Sequence, residues 1–208
     1  MKMTDVQGSP GGIPPQADMV SSHEQLALLC ADLKQQNAKL SARVRELEDE
    51  ICRDTLTPLF NRRYFEQAVA SAIAHCQRYQ SRAALVFVDV DDLKVINDTF
   101  GHAAGDEALR CVAHVLLDNV RSTDVVARIG GDEFALILGA ISEGDVEIKV
   151  AQLTAGIAAC RIGFGEAVTS LSATFGHAFI HPDDEAGHVL ARADSHMYRS
   201  KRSRGSAR

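Results

Sequence analysis

At 208 residues the chain is long for one domain and short for two. Hydrophobic residues at 46% and charged residues at 24% exclude wholesale disorder, and neither an apolar run of the roughly 18 residues a membrane span needs nor a secretory h-region occurs. A net charge of −6, with aromatics at 5% and no tryptophan, argues against a nucleic-acid binder and suits a chain that gathers carboxylates around a divalent cation.

Residues 1–20 hold Gly8, Pro10, Gly11, Gly12, Pro14 and Pro15 and no helical period, which predicts a disordered leader. From residue 21 to 52 the pattern changes. Leu26, Leu33, Leu40 and Leu47 recur every seven residues, and Cys30, Asn37, Val44 and Ile51 follow each leucine by four. This is a heptad with leucine at d and a mixed a column. Its stripe is narrow and its flanks polar, so it predicts an intermolecular coiled coil. Asn37 at an a position, and Arg43 at g facing Glu48 at e, favour a parallel two-stranded stalk.

Residues 53–208 supply enough chain for one substantial core. Phe65, Val69 and Ile73 share a helical face between Asn61 and Ser81. Ala83–Val90 is a near-continuous apolar run, read as a buried strand. A short helix to Phe100 and a longer one from Ala103 to Val120 follow. Val125–Ile129 and Phe134–Leu138 read as strands, with Gly130-Gly131 between them as a tight turn needing positive φ. Ser142–Ile162 reads as a weaker helix, Leu171–Ile180 as a strand and Glu185–Ser203 as a last helix. The order implies an α/β chain of the α+β sandwich type, one central sheet flanked by helices. The five cysteines are widely spaced and form no C-x-x-C pair, so they read as reduced thiols in the cytoplasm. The eight histidines show no metal-ligand spacing and read as structural.

The chemistry sits at strand ends. Leu85–Val88 runs into Asp89-Val90-Asp91-Asp92, and a carboxylate leaving a buried strand needs a cation or donor. Asp132-Glu133 follows the Gly-Gly turn. If the hairpin pairs beside the first strand, Asp89 and Asp132 converge into an oxygen site for Mg2+. Asp92 is expected to cap the following helix.

Arg128-Ile129-Gly130-Gly131-Asp132-Glu133-Phe134 resembles the signature of the GGDEF diguanylate cyclase family. Asp54-Thr55-Leu56-Thr57 with Asn61-Arg62-Arg63 is similar to the family's opening block, and Asp89 to Lys94 to its metal loop. Asn97 to His102, Gly105-Asp106, Ala193-Asp194 and Tyr198 to Lys201 are similar to its later blocks, so the likeness covers residues 54 to about 205. It implies a palm-like nucleotidyl cyclase domain with a central mixed sheet, which condenses two GTP into cyclic di-GMP and two pyrophosphates across a dimer. It implies Mg2+ (or Mn2+) held by Asp89, the Val90 carbonyl and Asp132. Glu133 would be a second metal ligand or the base toward the 3′-hydroxyl. Asn97 and Asp106 would read guanine, Lys94 and Lys201 would meet phosphates, and Gly130 and Gly131 would admit the nucleotide close to the backbone.

Arg121-Ser122-Thr123-Asp124 resembles the family's R-x-x-D inhibitory site for the product. The family pattern is departed from in three places, one of them a pair of residues. Pro58 replaces a glycine, Leu93 replaces a phenylalanine, and Arg204-Gly205 exchanges the usual order, so that Arg204 would supply the second phosphate contact. The expected molecule is a cytoplasmic homodimer joined through its stalk, with a separate regulatory protein acting on the stalk and no nucleic acid or membrane partner. Two alternatives stand beside it: a catalytically silent cyclic di-GMP effector, and a cyclase of other nucleotide specificity.

Overall fold

The computed structural model describes residues 16–164 and 167–205. The expected leader lies outside the described residues up to residue 15. From Gln16 the chain is helical, and α1 (Gln16–Ile51) runs 36 residues without a break. Its leucine column is bare: Leu26, Leu33 and Leu40 are more than half exposed, as are Val44 and Ile51. Leu28 and Leu29, off the heptad stripe, are exposed as well. No helix among the described residues is long and apolar enough to cross a membrane. The chain divides into two compact units between Glu50 and Ile51.

In the second unit, β1 (Phe60–Asn61) leads directly into α2 (Arg62–Tyr79). Asn61 caps α2 with its Oδ1, which accepts from the Tyr64 N–H at 3.1 Å. Its Nδ2 donates to the carbonyls of Ile51 at 2.6 Å and Arg53 at 3.1 Å, satisfying acceptors left open at the end of α1. Strand β2 (Ala83–Val90) is buried along its whole length, as its unbroken apolar run predicts. Helices α3 (Leu93–Phe100) and α4 (His102–Asp118) follow, then the hairpin β3 (Val125–Arg128) and β4 (Glu133–Gly139).

Helix α5 (Glu143–Ala159) starts at Ser142, whose Oγ donates to Asp145 Oδ2 at 2.6 Å and accepts from the Asp145 N–H. It stops at Cys160, where the backbone turns extended. The expected continuation to Ile162 is instead strand β5 (Arg161–Phe164), paired with β6 (Ala167–Ser170) in a small separate hairpin. Four-residue strands carrying Gly163 give too short a pattern to stand out from a helix tail. Strand β7 (Ala173–Ile180) and helix α6 (Ala186–Gly205) complete the unit.

Among the described residues five strands form the main sheet in the order β1-β3-β4-β2-β7. β1 lies parallel to β3 and the other neighbours are antiparallel, so the sheet is mixed. Alternate residues of β2 and β4 feed two cores. Val86, Val88, Phe134 and Leu136 pack under α3, α4 and α5. Leu85, Phe87, Ala135 and Ile137 pack under α2 and α6. The result is an α/β/α sandwich with β4 at the middle of the sheet and β2 between it and β7.

Two further sequence expectations fail. Cys111 on α4 and Cys160 at the end of α5 form a disulfide rather than remaining thiols. The two helices lie side by side on one face of the sheet, which brings together cysteines 49 residues apart in sequence. Neither Gly130 nor Gly131 has positive φ; among the described glycines only Gly101 does. The connection from Arg128 to Glu133 is a four-residue loop closed by the Ile129 and Gly130 N–H groups donating to the Glu133 carbonyl, so no two-residue primed turn is required.

Candidate active site

Register decides which carboxylates meet. In the β2–β4 pair Asp89 stands directly opposite Glu133, and the Val90 N–H donates to the Asp132 carbonyl at 3.0 Å. Asp132 therefore sits just past the end of the ladder, close enough to repel the Asp89 charge. The expected meeting of Asp89 and Asp132 occurs. Among the described residues, however, no three His, Cys, Asp or Glu side chains converge into a ready-made metal cage. Glu133 is exposed, with its carboxylate over Gly130, where a Cβ would strike Oε2. Close packing of this side chain, not φ, is what the glycine permits.

The Asp89 side chain is only 12% exposed, and Lys201 of α6 reaches it with Nζ 2.7 Å from Oδ2. Burial pushes the Asp89 carboxyl up. Lys201 pulls it down, Asp132 and Asp91 push it up again, and the balance stays above the ordinary carboxylate value. Asp91 accepts from the hydroxyls of Ser172 at 2.8 Å and Thr174 at 2.7 Å, which pins the loop after β2 to β7. Asp92 occupies the N-cap position of α3 with φ 54° but makes no side-chain capping bond, contrary to expectation. Its left-handed backbone turns the chain sharply from β2 into α3.

Beyond that turn, Asn97 is half-buried on α3 and packs against Gly105 of α4, where any Cβ would collide with its Oδ1. Asp106, half-buried, follows in the second turn of α4. The amide and the carboxylate thus share one helix junction. Lys94 is exposed on the first turn of α3. The side chain of Arg204 lies outside the described residues.

Two contributors escape a reading by motif alone. Arg128 directs Nη1 at the Asp54 carboxylate, 3.3 Å to Oδ1, and Nη2 at the Gly131 carbonyl, 2.8 Å. Asp54 Oδ1 also accepts from the Thr57 N–H at 2.8 Å and the Thr57 hydroxyl at 2.7 Å. One guanidinium thereby ties the opening turn to the signature loop. The signal was present two residues before Gly130, but its partner is 74 positions away. Pro58 fits the opening turn, and its carbonyl accepts from Arg53 Nη1 at 3.1 Å.

The Arg121–Asp124 segment is a closed turn rather than a surface ion pair. Asp124 accepts from the Arg121 N–H at 2.9 Å and the Gly139 N–H at 3.1 Å, and the Arg121 side chain is left exposed between cavities of about 310 and 250 Å3.

The donors at the Asp89 end are all oxygens, and a cation already rests on the buried carboxylate in the form of the Lys201 ammonium. That set fits a hard divalent metal.

Comparison with known proteins agrees with the geometry. Residues 51–207 match the family model described as diguanylate cyclase, GGDEF domain. Diguanylate cyclase DosC of Escherichia coli K12 is 38% identical over 168 residues, covering 76% of this chain and 36% of DosC. Diguanylate cyclase TpbB of Pseudomonas aeruginosa is 35% identical over 197 residues, covering 92% of this chain and 45% of TpbB, so the chain spans less than half of either relative. The coiled coil and GGDEF domain of DgcB from Caulobacter crescentus, solved with c-di-GMP, superposes with a TM-score of 0.76 at 26% identity, covering 86% of this chain and 95% of that one. Diguanylate cyclase SiaD of Pseudomonas aeruginosa, solved with its activator SiaC, gives 0.71 at 26% identity over 90% and 75% of the two chains. With the buried carboxylate of β2 and the signature loop in place, and most of residues 51–208 matched, the chain belongs to the GGDEF diguanylate cyclase family.

Proposed function

We propose that the chain is a diguanylate cyclase that condenses two GTP into cyclic di-GMP and two pyrophosphates as a dimer, with inhibition by its product. The observation that carries this reading is the buried Asp89 facing Glu133 beside Asp132, at the edge where β2 ends and β4 begins. Burying an ionised carboxylate there costs stability, and a chain keeps such a group where it needs a cation.

Asp89, Asp132 and the Val90 carbonyl would hold Mg2+ or Mn2+, with Glu133 beside them. The metal, when bound, neutralises the triphosphate and stabilises charge at the α-phosphate. Asn97 and Asp106 would orient guanine, the carboxylate accepting from the ring N–H and exocyclic amine. Lys94 and Lys201 would meet phosphate oxygens as point charges, and Arg204 would add a fork near the end of α6. The reaction needs the 3′-hydroxyl of a nucleotide on a second domain, so one chain carries half a site. The exposed leucine column of α1 supplies the means to pair two chains, and a protein that grips the stalk would set their spacing.

Incubation with GTP, ATP and Mg2+, with products identified by mass, tests the reaction and its base specificity together. Asp132→Ala should retain the far-ultraviolet circular dichroism of the parent and lose turnover by at least about a hundredfold. Activity within tenfold of the parent would remove Asp132 from the metal site.

A further inference from the structure

Helix α6 packs against β7 through one stripe: Val189, Ala193 and Met197 are buried, and at Gly176 the strand meets the Met197 backbone with no room for a side chain. Lys201 comes one helical turn after Met197 on that stripe. The lysine therefore does not belong to a solvated basic tail, as its sequence neighbours suggest. A packed helix delivers it over the sheet edge, where its Nζ lies 2.7 Å from the carboxylate of Asp89. Asp89 is largely withdrawn from water and has Asp132 and Asp91 as negative neighbours. An ammonium at that spot offsets the charge that a divalent cation would otherwise offset. It also occupies the approach to one lone pair of the principal ligand.

We propose that Lys201 is a built-in placeholder for the metal: in the nucleotide-free chain it holds Asp89 and opposes binding of free divalent cation, and it lets go only when phosphate offers it a stronger partner. The inference rests on the cyclase reading for the identity of the phosphate, but the exclusion of free metal stands on the ion pair alone. Metal then enters with the triphosphate rather than before it. One side chain has two alternative anionic partners, and its transfer from carboxylate to phosphate opens the ligand at the moment substrate arrives. Both partners are anions, so the ammonium stays charged throughout and no proton need move.

The test is the binding of Mn2+ alone to the full chain without nucleotide, read by electron paramagnetic resonance. Lys201→Met should bind Mn2+ roughly fivefold more tightly than the parent, as expected for removal of a partly exposed competing charge. Lys201→Arg, which retains the cation, should stay within about twofold of the parent. Adding Asp89→Asn to Lys201→Met should abolish the gain. Equal or weaker Mn2+ binding by Lys201→Met overturns the proposal, as does a gain that Lys201→Arg shares or that survives Asp89→Asn. Thermal unfolding of each variant confirms that the fold is being compared with itself. GTP turnover by the parent, measured separately, reports on the cyclase reading and not on this ion pair.

Discussion

Asp54 is held by more bonds than any other acidic side chain near the signature loop. Burial alone would raise its carboxyl, yet the hydroxyl and N–H of Thr57 and the guanidinium of Arg128 together hold it below the ordinary value. A depressed carboxyl stabilises the fold above the unfolded value of about 3.9, and that stability is lost as pH falls through the folded value. Asp54→Asn should therefore cost about 2 kcal/mol near neutrality by weakening three bonds and leaving Arg128 without its counter-charge. Acid titration of thermal stability should also be flatter in the variant than in the parent below pH of about 4. An unchanged melting temperature at pH 7 would count against this ledger of bonds. The convergence of Asp89 and Asp132 is expected from the strand ends, whereas Glu133, Asn97 and Asp106 enter through the family resemblance; all five fall where strands end or helices meet. Lys201 was legible as a cation but not as the partner of Asp89. Its bond depends on how α6 lies on β7, a property of packing that no local pattern encodes.

Elements with a full period were readable in order. Strand β2 stands where its eight apolar-rich residues predict it, and Asn61 starts α2 as an N-cap should. The pieces without a period were missed: two-residue β1, which exists through pairing with β3, and the β5–β6 hairpin. The edge of β7 also carries a device that sequence conceals. The His177 N–H, turned away from β2, donates to His196 Nδ1 at 3.0 Å, so the outer strand is covered by its own helix. Gly176 beside it lets α6 come close. A Cβ there would meet the Ala193 carbonyl at 2.6 Å and the Met197 backbone nearer still. Neither backbone atom yields without moving the helix, so Gly176→Ala should lower stability by about 2 kcal/mol, measured by denaturant midpoint. Displacing α6 also moves Lys201. A variant as stable as the parent would show that the helix shifts freely.

The proposed reaction asks of the whole molecule what no single domain can do. In the proposed reaction two nucleotides on two chains face each other, and a tether would bring the second domain to roughly millimolar local concentration. Replacing Leu33 and Leu40 by aspartate places four charges in a paired stalk. The expected result is a monomer by light scattering, with intact GTP binding and little cyclic di-GMP per chain. Full specific activity from a monomer at low concentration would sever the stalk from catalysis. The proposed product inhibition is tested most cleanly at one residue. Asp124 caps the backbone of Arg121 and Gly139, so altering it risks the turn itself. Arg121→Ala removes only an exposed side chain. Turnover should be unchanged, and the concentration of added cyclic di-GMP needed for half inhibition should rise at least about tenfold, the loss of a charged fork. Inhibition unchanged in the variant would free Arg121 from that role.

The bridge from Arg128 to Asp54 and Gly131 has a consequence for inheritance. Its ends lie 74 positions apart, and Arg128 Nε is already buried without a partner. Replace Asp54 alone and a half-buried guanidinium loses its counter-charge. Replace Arg128 alone and both the opening turn and the Gly131 carbonyl lose a donor. Each single step strands a partner, while the double replacement by a neutral pair leaves no unpaired buried charge and should cost less than the two single losses added together. Selection on stability therefore couples the two codons, and in a double-mutant cycle of Asp54→Asn and Arg128→Gln the two losses should not add.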